Sequence, residues 1–146
     1  MKREYEIIIL LEKILNTLNN SRLEYLKAAD RIPVPKYKRF LNKTSTIRNK
    51  FCQEIIVLLR VYNAEPDNLF INKINFEKTF TSPYRNLKTN SSELIINLDN
   101  ELTKLYEEII TLCPDSETLE EHYRKILDSM KTNMNLIKDH RLVFHS

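Results

Sequence analysis

Apolar residues fall at alternating steps of three and four along most of the chain, the spacing of one face of an α-helix. The first such run covers residues 3–32 and aligns Ile7, Leu11, Ile14, Leu18, Arg22, Tyr25 and Ala29. Arg22 is its charged interruption. The second covers residues 35–64, with Tyr37, Phe40, Thr44, Ile47, Phe51, Ile55, Leu58 and Tyr62 in line. Pro33 and Pro35 separate the two. A proline cannot continue a helix, but at the first helical position its missing N–H costs nothing, so Pro35 suits the start of the second. A link this short predicts that the two helices lie antiparallel.

The pattern then breaks. Residues 65–89 hold Pro66 and Pro83, several Asn and Thr, and only short apolar groups around Phe70, Ile74 and Phe80. They read as a long connection that packs on the bundle. A third helix is expected from Asn90, where Asn90 and Glu93 resemble a capping box, with Ile95, Leu98, Leu102, Leu105, Ile109 and Leu112 on its stripe. Pro114, Asp115 and Ser116 form a turn, and Asp115 or Ser116 caps a fourth helix whose first turns carry Glu117, Glu120 and Glu121. Its stripe is Leu119, Tyr123, Ile126, Met130, Met134 and Ile137. Residues from Leu142 onward are expected to fray or fold back. The whole chain, residues 1–146, reads as one all-α domain. Helix, short turn, helix, long connection, helix, short turn, helix is the order of a ferritin-like antiparallel four-helix bundle.

Composition narrows the chemistry. The chain contains 0 glycines. Gly-rich phosphate loops, dinucleotide fingerprints and nucleophile elbows all need backbone conformations or close approaches that glycine supplies, so none is present. Cys52 and Cys113 have neither metal-ligand nor redox spacing and read as reduced, semi-buried thiols. The charged start of the chain is unlike a signal peptide, and the apolar run of residues 7–11 is too short to cross a bilayer. A cytoplasmic location is the expectation.

A di-iron site in such a bundle needs a Glu from each of two helices and a Glu-x-x-His pair from each of the others, because three-residue spacing puts both ligands on one face. The residues three before His122, His140 and His145 are Leu119, Ile137 and Leu142, so no such pair exists. The inward stripes of helices three and four read as entirely aliphatic, aromatic or Met. No metal, cofactor or catalytic residue is therefore assigned. Arg22, Glu24, Glu54 and Asp99 lie on or beside the seams and form a possible polar pocket. The competing account, which we favour, is that Arg22 reaches out to the bundle edge.

Charge is unevenly placed. Residues 31–53 carry seven basic residues and no Asp or Glu, whereas the third helix and the start of the fourth are strongly acidic. A polyanion surface on helix two is one reading. The other is complementary charge between neighbouring helices or between protomers. Periodicity spreads the basic residues around helix two rather than along one stripe, and no aromatic platform accompanies them, so nucleic-acid binding is disfavoured.

Several stretches carry a resemblance. They are Asn19-Asn20-Ser21-Arg22 leading to Glu24-Tyr25-Leu26-Lys27-Ala28-Ala29-Asp30, then Arg48-Asn49-Lys50-Phe51 with Glu54, and Glu65-Pro66. Asp99, Tyr106 and Glu107-Glu108 follow, and then Ile137-Lys138-Asp139-His140-Arg141. In order and spacing, from about residue 15 to 141, they resemble an uncharacterised bacterial family of ferritin-like bundles, a domain of unknown function. The resemblance implies that fold and a small homo-oligomer, and no known activity. The chain departs from the family at Leu23 and Glu24, where the family has an acidic residue and Gly. It departs again at residues 95–99, where the family has a Cys-Glu-Arg-Gly-Glu stretch, and at Met134, where it usually has His. The reading is a non-catalytic bundle acting through protein contacts, as a homodimer or with another protein. A di-iron type metal-binding protein and a polyanion-binding module are the alternatives.

Overall fold

The computed structural model describes residues 2–62 and 91–140, except the side chains of residues 91, 92, 139 and 140. The connection expected over residues 65–89, the cap at Asn90 and the expected fraying from Leu142 lie outside the described residues. Those described form four helices and no strand: α1 (Lys2–Arg31), α2 (Pro35–Val61), α3 (Ser91–Leu112) and α4 (Glu117–His140). At 1.5 Å per residue, α1 is about 45 Å long.

The proline pair sets the first turn as expected. Val34 is extended and Pro35 occupies the first turn of α2. That helix ends near Tyr62, whose N–H reaches back to the Leu59 carbonyl at 3.0 Å. Of the two candidate caps for α4, Ser116 serves: its Oγ accepts the Leu119 N–H at 3.3 Å. Glu117 and Glu120 then sit at the positive end of the helix.

Helix α1 packs against both α2 and α3, while α4 packs on α3 and, less extensively, on α2. Two apolar clusters fill the interior. The larger gathers Ile7, Leu11, Ile14 and Leu18 with Phe51, Ile55, Leu59, Leu102, Ile109 and Ile126. The smaller, toward the other end, joins Ala28, Ala29 and Ile32 to Tyr37, Leu41, Ile95 and Leu136. No described helix is long and apolar enough to cross a membrane.

All four of the expected faces need correction. In α2, Leu41, Arg48 and Leu59 are buried, while Phe40, Ile47 and Leu58 of the expected stripe are only half-buried. In α1, Ser21 rather than Arg22 completes the buried line between Leu18 and Tyr25. In α3, Asp99 and Tyr106 are buried with Ile95, Leu102 and Ile109, while Leu98 and Leu105 are only half-buried. In α4, the buried line is Leu119, His122, Ile126, Asn133 and Leu136, and Met134 is 55% exposed. The inward faces of α3 and α4 are therefore not wholly apolar. The physical reason is pairing: a polar side chain that finds a partner inside the bundle can be buried at small net cost.

Candidate functional site

At the middle of the bundle lies an ion pair from two different helices. Arg48 of α2 donates from Nη1 to Asp99 Oδ1 of α3 at 2.6 Å, and both side chains are 1% exposed. Arg48 Nη1 also donates to Ser21 Oγ at 2.8 Å, and Nη2 donates to Ser129 Oγ at 2.8 Å. The Tyr25 hydroxyl donates to Asp99 Oδ2 at 2.6 Å, and the guanidinium carbon lies 5.2 Å from the Tyr25 ring centroid. All four helices thus contribute. Burial alone would lower the Arg48 pKa, but the Asp99 charge outweighs it and holds it above its ordinary value. Burial, then the Asp99 charge, pushes the Tyr25 phenol well up, so it stays protonated and remains a donor.

Toward the end of the bundle where α4 begins, a second group runs from the interior to the surface. The Tyr106 hydroxyl lies 2.8 Å from His122 Nδ1, and His122 Nε2 lies 3.1 Å from Glu54 Oε1. An ionised carboxylate only accepts, so a neutral His122 carries its proton on Nε2 and receives the phenol's hydrogen bond at Nδ1. Phe51 stacks on the imidazole, with centroids 3.9 Å apart. Burial lowers the His122 pKa below 6.5, against the opposing pull of the Glu54 hydrogen bond. Tyr106 and His122 are enclosed, while the Glu54 side chain is 39% exposed and forms the outer end of the chain of contacts. Toward the other end of the bundle, the Tyr37 hydroxyl bonds Asn133 Oδ1.

The four residues expected to share a pocket are not brought together. Asp99 meets Arg48, and Glu54 meets His122. Arg22 is half-buried and donates to Asn19 Oδ1 at 2.8 Å, one turn back on its own helix. Glu24 is buried and pairs with Lys27 at 3.4 Å. Sequence reasoning missed Arg48, Tyr106 and His122 as interior polar groups. Arg48 did leave a signal, since it stands between Thr44 and Phe51, both on the α2 stripe.

The chemistry open to these groups is limited. Cys52 is a buried free thiol whose pKa burial pushes up to about 11, which suppresses the nucleophilic thiolate. Among the described residues, no group of three or more His, Cys, Asp or Glu is placed to hold a metal ion. The donors of a di-iron site do not fit either, because a guanidinium occupies the centre and would repel a divalent cation. Among the described residues, one surface depression lies on α4 and another at the turn before it. One, of about 560 Å³, is lined by Glu117, Glu120, Glu121, Tyr123, Arg124 and Leu127. The other, of about 470 Å³, lies between Arg3, Tyr62 and Cys113. Neither is lined by a residue of the buried networks. No protein-family model, curated protein or solved structure matches the chain.

Proposed function

We propose that the chain is a ferritin-like bundle that acts without catalysis, through protein contacts, as a homo-oligomer. The observation that carries this reading is the enclosed Arg48–Asp99 pair. A positive side chain stands where a metal-binding bundle would gather carboxylates, and its hydrogen bonds are spent on Ser21, Ser129 and Asp99.

The ferritin-like arrangement is supported by the order of the cross-helix contacts. Arg3 bonds the Leu112 carbonyl and Tyr25 bonds Asp99, the order of helices running in opposite directions. Tyr37 with Asn133 and Glu54 with His122 have the same opposed order between α2 and α4. Helix α2 ends beside Leu112, whereas α3 begins near the Tyr37 end, so the link between them has a bundle length to cover. Beyond the order of elements, the family assignment rests on the residue stretches quoted above.

The test is elemental analysis of protein purified without chelator and then incubated with iron or manganese. We expect far less than one metal per chain. A content of about two ions per chain, the stoichiometry of a di-metal bundle, would sink the non-metal reading.

A further inference from the structure

The uneven charge noted in the sequence acquires a geometry in the fold. Lys36, Arg39, Lys43 and Lys50 follow one another at steps of three, four and seven, and all four are exposed. These steps keep residues on one side of a helix. Four basic residues of α2 therefore form a stripe, which Glu54, four residues on from Lys50, closes at its far end, while Lys38, Arg48 and Arg60 lie off it and spread around the helix as the sequence suggests. Residues 35–53 include no Asp or Glu. The remaining cation of the inner face, Arg48, is neutralised by Asp99.

Helix α3 is the counterpart. Glu93, Glu101, Glu107 and Glu108 are exposed, and Lys104 is its only basic residue. Glu117 and Glu120 add acidic charge in the first turn of α4, while Glu121 of the same helix is near enough to Lys50 of α2 to feel its charge, so that end of the basic stripe is partly offset within the chain. Helices α2 and α3 each pack on α1 and α4, so they stand diagonally across the bundle and their outer faces point away from each other. The two faces lie roughly 20 Å or more apart, given inter-axial spacings of 8–10 Å and helix diameters near 10 Å. That exceeds two Debye lengths at physiological salt, about 8 Å each, so the faces do little to neutralise one another within a single chain.

We infer that copies of this chain associate head to tail, the basic α2 face of one copy against the acidic α3 face of the next. Resting on the homo-oligomer reading above, this names its surfaces and its symmetry. Each interface joins two different patches, so it leaves a free basic face at one end and a free acidic face at the other. Such contacts close into rings or continue as filaments, unlike a two-fold dimer that pairs one patch with itself. Charge complementarity sets both the pairing and its sensitivity to salt.

Sedimentation velocity of the full chain tests this over a range of concentrations in about 0.05 M and about 0.5 M NaCl, between which the Debye length contracts roughly threefold. In low salt the mass is expected to pass the dimer and keep rising or settle at a ring, and to fall toward monomer in high salt. Two variants sharpen the test, with helicity checked by circular dichroism. One carries Lys36→Glu, Arg39→Glu, Lys43→Glu and Lys50→Glu. The other carries Glu93→Lys, Glu101→Lys and Glu108→Lys. Each alone should remain monomeric in low salt, and an equimolar mixture should recover assembly, because each now offers the complement of the other. A mass that stops at dimer, or assembly that neither variant disturbs, overturns the head-to-tail surfaces while leaving a homo-oligomer standing. A wild-type chain that stays monomeric in low salt overturns both. A monomer that instead binds a labelled single-stranded oligonucleotide, and loses it in the α2 variant, assigns the basic face to a polyanion and overturns the inference.

Discussion

His122 shows how one residue can make the fold sensitive to acid. Its ring is enclosed, and burial lowers its pKa below the ordinary 6.5, with Glu54 opposing the shift. In the unfolded chain it titrates near 6.5. Between the two values the unfolded state binds more protons, so its share of stability is complete above about pH 6.5 and is lost as pH falls toward the folded pKa. Glu121 and Lys125 of α4 also act on the ring, the first favouring its charge and the second opposing it. Melting temperature should therefore drop by a few degrees more in wild type than in His122→Gln when pH is lowered from about 7.5 to 5.5. Equal drops in the two proteins would remove His122 as the cause.

Between helices, the Arg48–Asp99 pair ties α2 to α3 across the interior. Removing one partner strands a charge that is cut off from water. Arg48→Met should cost about 3–5 kcal/mol, whereas the double variant Arg48→Met, Asp99→Leu should recover much of that loss. Urea denaturation of the four proteins of the cycle measures it, and additive single effects would mean that the two side chains do not act as a pair. The same pair marks where the sequence stops being legible. Helix limits, the proline turn and the Ser116 cap follow from local chemistry, and the line Ile7, Leu11, Ile14 and Leu18 of α1 is the buried one. In α3 and α4 the apolar stripe includes the buried Ile95, Leu102, Ile109, Leu119 and Ile126 but passes beside the equally buried Asp99, Tyr106, His122 and Asn133. A rotation of one residue, about 100°, separates Leu98 from Asp99 and Leu105 from Tyr106. What turns these helices inward by their polar side chains is a partner far away in sequence: Arg48 for Asp99 at a separation of 51, Glu54 for His122 at 68. Periodicity within one helix carries no information about such partners. For the same reason periodicity alone runs the α1 seam through Arg22, although its neighbour Ser21 takes the buried position.

On the scale of the whole molecule, the ion-pair layer has a neighbour on each side. Ser21, Arg48, Asp99 and Ser129 lie between the larger apolar cluster and the smaller one built from Ala28, Ala29, Leu41, Ile95 and Leu136. Apolar burial is the main source of cooperativity in a bundle, and here it is interrupted by a layer held by directional bonds. The end with less apolar burial can open while the other stays closed. Native-state hydrogen exchange should find amides of Ala28, Ala29, Leu41 and Leu136 exchanging at lower free energy than those of Ile14, Ile55 and Ile109. A single common opening energy for both sets would show that the layer transmits cooperativity rather than limiting it. If the two sets separate, the polar layer is a fault line, and the bundle breathes from one end while remaining folded at the other.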